Sequence, residues 1–473
     1  MDRPSLTTRV APPGVATPGS APAETTPLII PPATPTPGRA RPAAPLRREG
    51  PAKLTGTAIY TDDLVVPGAW YGATVRSTEP HARFIGLELD DAFDWSRVVV
   101  VTAEDIPGEN VVSLIDADQP VLVPVGGEIR HQAEACALIA APDRSTLREA
   151  RRHARLRTER LPAVFDPLAS EQEFAHYTVE TGDATAAMAG AELVIEGTYR
   201  VGHQEQLYIE NQAMIAIPRE DGGVTVHGSL QCPYYIHKAM KRALAMGDEL
   251  AVVVQAETGG GFGGKEEYPS VIALHASLLA LKCRKPVRMI YDRHEDISAT
   301  TKRHPAVIRY RSGVSATGEL IAQEIEVIMD GGAYCTLTPV VLSRGILHAG
   351  GPYRCPNVRI TGRAMATNTP PNGAFRGFGA PQTEFAAEMQ INRIAEALDA
   401  SPLDLRRRWV YREGDTTATG QVLRESVGGI DVLEGAAEVA AFDRIHAQTR
   451  AMREGRTEGA RTATGIGLAL GWH

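Results

Sequence analysis

Between Gln255 and Ser270 the chain reads QAETGGGFGGKEEYPS, and Gly259 to Lys265 within it spell G-x-x-x-x-G-K. A loop of that spacing can wrap a phosphate in backbone N–H groups and set a lysine against its charge, provided that Ser or Thr follows to give Mg²⁺ a hydroxyl. Here Glu266 and Glu267 follow instead. Two carboxylates repel phosphate and supply no such hydroxyl, and no strand ending in Asp stands out to complete a nucleotide site. Nucleotide hydrolysis is therefore not the chemistry this stretch points to. What remains is a glycine loop between a buried strand and a helix, where backbone N–H groups can converge on another ligand.

A second stretch has similar physics. In Ala374-Phe375-Arg376-Gly377-Phe378-Gly379, glycines flank aromatic rings. The backbone can approach a flat ligand there while the rings wall it off. Either loop alone reads equally well as a tight turn around a packed phenylalanine. Two such loops, each opening a helix, read together as a binding face.

The elements that must position them follow from local pattern. GGVTVHGSL and ELAVVVQAE read as strands, and PYYIHKAMKRAL as a helix with Pro233 at its first position. SVIALHASLLALK is a largely apolar helix after the first loop. RITGRAMATNT is a strand before the second, and Pro381 opens the helix PQTEFAAEMQINRIAEAL. Earlier come short β-branched runs, WYGATVR, FIGLELD, RVVVVTAEDI and ACALIAAP, then a helical stretch, STLREARRHARL. The expected organisation is a Pro, Ala and Thr-rich disordered tail over 1–47, a small α/β domain over 48–165, a turn-rich linker over 166–185 and a larger domain over 186–473.

Composition narrows the classes. A net charge of -8 gives no basic footprint for nucleic acid or anionic lipid. No apolar run approaches the roughly 20 residues of a membrane helix. The five cysteines, Cys136, Cys232, Cys283, Cys335 and Cys355, are scattered singly with no CxxC. That pattern argues against a disulfide framework and against a zinc or iron–sulfur site, and predicts reduced cysteines in a cytoplasmic protein.

GGGFGGKE together with AFRGFGAPQ resembles the molybdenum-binding subunit of the xanthine dehydrogenase and aldehyde oxidase family. LTGTAIYTDDL is similar to the start of that family's α/β hammerhead domain. LYIENQAMIAIP, MDGGAYC and SRGILHAGGPYRCPNVRITG resemble segments of its first molybdopterin domain. Order and spacing fit over residues 48–473. The resemblance implies an α+β fold, a hammerhead-like domain followed by the first molybdopterin-binding domain.

It also implies a pterin dithiolene holding molybdenum, as the cytosine dinucleotide, with no metal ligand from the protein. Gln231 matches the glutamine that hydrogen-bonds an oxygen on molybdenum. Phe262 and Gly263 match the loop beside the metal, and Arg376 the second cofactor loop. Glu266 and Arg344 match two substrate-binding positions that are charged in purine-oxidising members, whereas aldehyde-oxidising relatives carry uncharged groups there. The alternative for Glu266 is a pair with Lys265 or a helix cap. The family's catalytic glutamate lies in a second molybdopterin domain, expected to be absent from this chain, so no residue here is assigned as the base. Hydroxylation of a purine or other N-heterocycle with water-derived oxygen is the reaction implied. Its electrons would leave through 2Fe-2S clusters and FAD on an iron–sulfur subunit and an FAD subunit; the chain would be either a truncated product or one half of a subunit whose second molybdopterin domain lies on a separate polypeptide. An aldehyde oxidase, or a catalytically incomplete assembly scaffold, is the competing reading.

Overall fold

The computed structural model describes residues 47–112, 114–455 and 463–473. The chain divides into a leading unit ending at Thr57 and a main unit from Ala58 to His473. In the leading unit the helix Gly50–Thr55 stops at Gly56, whose φ of 73° is the left-handed cap that glycine adopts without strain. The expected tail lies outside the described residues except for Arg47.

The main unit is built on three sheets. The largest has seven strands, in the spatial order Ala251–Gln255, Val224–Gly228, Ala213–Pro218, Val287–Ile290, Trp70–Arg76, Ala135–Ala141, Val99–Val101. A five-stranded sheet runs Glu173–Thr181, Val358–Ala366, Leu320–Gly332, Ala306–Val314, Leu193–Val201. The smallest joins Glu128–Ile129, Ala82–Leu89 and Ala154–Arg160. Among the described residues no helix is long and apolar enough to cross a membrane.

The first and largest core lies between the seven-stranded sheet and the helix Pro269–Cys283. That helix is buried continuously from Pro269 to Ala280, which is why its sequence is apolar on all sides rather than along one stripe. Gly72 marks a tight point: an added Cβ would lie 2.8 to 2.9 Å from Met289, Leu279 and Val287. Over the five-stranded sheet the helices Thr338–His348 and Ala380–Ala397 bring residues into a second core. The sheet also carries a lattice of cross-strand ion pairs, Arg309–Glu326, Arg311–Glu196, Arg359–Glu180 and Arg363–Glu173.

Two features differ from the expected organisation. The strand Trp70–Arg76 pairs in parallel with Val287–Ile290, so the small leading domain and the larger one share a sheet. Parallel pairing between segments so far apart leaves no local sequence signal. The stretch expected as a linker over 166–185 contains the strand Glu173–Thr181, paired antiparallel to Val358–Ala366. Its residues stay largely exposed at the sheet edge, so the alternation that betrays a half-buried strand is faint. Smaller adjustments follow from turn chemistry. The run RVVVVTAEDI is a strand only over Val99–Val101, because Thr102 and Asp105 then close a capping box around a 3₁₀ turn.

Candidate cofactor-binding face

Gln231 and the first glycine loop leave the same edge of the seven-stranded sheet. The strands Val224–Gly228 and Ala251–Gln255 run parallel, so their C-terminal ends lie side by side. Gln231 follows the first and the loop follows the second. The Gln231 N–H donates to the Lys265 carbonyl at 2.7 Å. Its side-chain Oε1 accepts from the Gly263 and Lys265 N–H groups at 3.0 and 3.3 Å. The amide oxygen is thus committed to the loop, and Nε2 makes no hydrogen bond among the described residues.

The loop backbone needs its glycines. Gly260 and Gly263 have φ of 103° and 99°, and Phe262 itself sits at 53°. A Cβ on Gly263 would come within 2.7 Å of the Ala374 carbonyl group, so the second loop lies directly against it. The Arg376 N–H donates to the Phe262 carbonyl at 2.9 Å and fixes the register of the two loops. Phe262 leaves about half of its surface, 49%, open on this face.

Lys265 answers the phosphate question. It is 0% exposed, and its Nζ donates to the Glu210 carbonyl at 2.7 Å, to Ser229 Oγ at 2.8 Å and to Glu210 Oε2 at 3.1 Å. The ammonium also lies over the Tyr208 ring, 4.7 Å from its centroid. Burial pulls its pKa below the usual lysine range, while the Glu210 carboxylate holds the charge on. The same Glu210 Oε2 accepts the Gly259 N–H at 2.6 Å, so one carboxylate pins both ends of the loop. Lys265 is a strut within the fold and is not presented to a ligand.

The second loop is held from below by Arg303, whose Nη2 donates to the Arg376 carbonyl at 2.9 Å. Its guanidinium lies 3.8 Å from the centroid of Phe375. Gln206 Nε2 donates to the Ala374 carbonyl at 2.9 Å. Gly379 packs against the helix Thr338–His348, where an added Cβ would lie 2.2 Å from the Val341 carbonyl oxygen. The Arg376 side chain is exposed and makes no hydrogen bond or ion pair among the described residues.

Gln231, Phe262, Gly263 and Arg376 are therefore brought together on one interlocked pair of loops. Glu266 adjoins them, half-buried, its carboxyl raised by burial and without a hydrogen bond or ion pair among the described residues. It neither pairs with Lys265, which is taken by Glu210, nor caps the following helix, whose N-cap residue is Tyr268. Arg344 lies on the helix beside Gly379; no contact joins it to Glu266, and its guanidinium meets the ring of His473. Sequence reasoning missed Glu210, Glu267 and Arg303. The signal for Glu210 was present: the one charged residue of LYIENQAMIAIP, just ahead of the apolar run from Ala213.

Two family descriptions and several known proteins match the chain. The family description "Molybdopterin cofactor-binding domain" matches residues 167–410. "Aldehyde oxidase and xanthine dehydrogenase, a/b hammerhead domain" matches residues 55–162. The chain is 35% identical over 410 residues to the nicotinate dehydrogenase large molybdopterin subunit of Eubacterium barkeri, covering 84% of this chain and 96% of that protein. It is 32% identical over 438 residues to a probable xanthine dehydrogenase subunit of Bacillus subtilis, covering 90% of this chain and 58% of that protein. Among solved structures, the aldehyde oxidoreductase from Desulfovibrio gigas superposes with a TM-score of 0.77 at 26% identity, over 86% of this chain and 47% of that chain. Quinoline 2-oxidoreductase from Pseudomonas putida 86 gives 0.76 at 26%, over 86% of this chain and 55% of that chain. This chain thus spans about half the length of those two solved chains.

Proposed function

Because the chain belongs to the xanthine dehydrogenase and aldehyde oxidase family of molybdenum hydroxylases, we propose that it forms one wall of the site at which an N-heterocycle is hydroxylated. The residues present fit a molybdopterin group. Gln231 offers an uncommitted Nε2 whose position is fixed by its own Oε1, Phe262 offers an open ring, and Arg376 an unpaired guanidinium for an anionic substituent. When bound, the group supplies the two-electron chemistry that replaces a ring hydrogen by a water-derived hydroxyl.

The chain's own part is binding and orientation. The Gln231 Nε2 donates a hydrogen bond whose direction is preset by the loop, so it costs no reorganisation during reaction. Phe262 excludes water from one side of the site. Arg344 offers positive charge to a ring that becomes electron-rich during attack. The observation that carries the substrate class is Glu266, a half-buried carboxyl raised by burial and left unpartnered beside the loop. Such a group suits a ring nitrogen or ring N–H and has nothing to do for a simple aldehyde. The names of the bacterial relatives, which speak of subunits, support an enzyme of several polypeptides; in this reading the partners carry the second molybdopterin domain, the 2Fe-2S clusters and FAD, and the cofactor is the cytosine dinucleotide.

The likeness to an aldehyde oxidoreductase favours a second reading, in which aldehydes are the substrates and Glu266 is idle. The assembled enzyme separates the two. Arg344→Ala should lower kcat for hypoxanthine or nicotinate by about 10- to 100-fold while leaving aldehyde oxidation within about threefold, the size of one lost charge contact in the transition state. Equal losses on both classes would show that Arg344 is structural, and a parent enzyme that turns over aldehydes but not heterocycles would favour the aldehyde reading.

A further inference from the structure

Behind the first loop, away from Gln231, Glu267 joins the two loops. Its Oε1 accepts the Ala374 N–H at 2.9 Å, and Gly373 leaves it room: a Cβ on Gly373 would lie 1.6 Å from that oxygen. The other oxygen, Oε2, makes no hydrogen bond of ordinary geometry, although the Thr301 hydroxyl is near enough to stabilise the carboxylate; Thr301 Oγ1 and Ser270 Oγ are likewise buried without a well-formed bond. All three residues are more than nine-tenths buried. They line one cavity of about 40 Å³, whose far wall includes Arg76, His131 and Glu134. At roughly 10–15 Å³ per water, that space holds about three waters. Empty pockets in proteins are apolar, whereas this one presents orphaned oxygens, each costly to leave unpaired.

We propose that Glu267 is a second positioning residue, which latches the second glycine loop onto the first alongside the Arg376–Phe262 backbone bond, and that the cavity holds an ordered water cluster completing its outer oxygen, with Ser270 and Thr301 as the cluster's other anchors.

The electrostatics bear on how this latch responds to pH. On its own side Glu267 faces Glu266 and Thr301, and it in turn disfavours the thiolate of Cys232 and the phenolate of Tyr235. Across the cavity Arg76 is committed to Glu295 and Tyr291, Glu134 to Tyr334, Asp118 to the Cys335 N–H, and His131 is held neutral by burial; Asp116 and Tyr268 complete the titratable wall. No cation in that wall is left over for Glu267. Burial pushes its carboxyl up from 4.5 to about 7, with the Ala374 N–H pulling the other way. A folded pKa above the open-state value means that the latched state holds the proton more tightly. Its stability is fully present below about 4.5 and is lost as pH rises toward 7, above which it levels.

The inference rests on the proposed function only for its consequence at the cofactor; the latch itself is read without one. The test is hydrogen exchange by mass spectrometry on the full chain in its purified complex, following peptides across residues 370–380 between pH 5 and 8. Protection corrected for intrinsic exchange should fall by up to about tenfold per pH unit until near 7. Glu267→Gln, which can still accept from Ala374 and donate to the waters but cannot titrate, should keep the protection and flatten its pH dependence. Glu267→Ala should lose protection at every pH; should it not fold, the glutamine variant decides alone. A slope in Glu267→Gln equal to that of the parent protein would overturn the proposal, as would unchanged protection in Glu267→Ala. Lost activity with an intact latch would instead count against the proposed function.

Discussion

Each glycine loop carries one basic residue, and the two have opposite fates. Lys265 turns inward, fully buried on Glu210, Ser229 and the Tyr208 ring. Arg376 turns outward with its guanidinium unpaired among the described residues, while its peptide group is held on both sides, by Phe262 and Arg303. What separates them is the surrounding fold. The first loop closes over a carboxylate already placed at Glu210, so its cation becomes part of the frame. The second is braced through its backbone, which leaves its side chain free for a ligand. A glycine loop with a cation therefore announces a backbone shape, and only its neighbours decide whether the charge is structural.

The contrast can be broken most sharply at Lys265. Lys265→Ala leaves the Glu210 carboxylate buried without its cation and should cost about 3–5 kcal/mol in chemical denaturation, or abolish folding. A variant of parent stability that had lost affinity for Mg-ATP would show that the lysine serves a nucleotide after all. Gln231→Ala comes next. In the assembled enzyme it should raise the barrier to turnover by roughly 2–4 kcal/mol, because it removes both the donor proposed for the cofactor and the acceptor that holds Gly263. Undiminished kcat with full molybdenum content would reduce Gln231 to a loop brace. The smallest effect is expected at Arg376: Arg376→Ala should change stability by no more than about 0.5 kcal/mol, while molybdenum retained after gel filtration falls. A large loss of stability would place Arg376 in the same structural role as Lys265.

Much of this frame was legible in the residues. The loops, the strand–loop–helix order and the helices opened by Pro233 and Pro381 follow from glycine spacing, periodicity and proline preference. The grouping of Gln231 with Phe262 and Gly263 came through resemblance, and the parallel strands beneath them give it a physical cause. Other features were hidden because they belong to tertiary structure. Lys265 and Glu267 are charged types that read as surface until their partners, Glu210 and the Ala374 N–H, are placed in space. The strand Glu173–Thr181 lies in sequence rich in exposed polar residues, and only its pairing with Val358–Ala366 makes it regular. The ion-pair lattice of the five-stranded sheet likewise depends on a register that no single segment encodes.

The shared seven-stranded sheet imposes an order of events during synthesis. Trp70–Arg76 can pair early with Ala135–Ala141, but its other edge waits for Val287–Ile290. That partner emerges on the order of 150 residues after Ala141, which at typical elongation rates is roughly 7–30 s. Throughout that interval a half-built sheet exposes an unpaired edge and the apolar face destined for the helix Pro269–Cys283. A ribosome-bound fragment ending before residue 287 should therefore bind a holdase chaperone where one extending past the helix and strand does not.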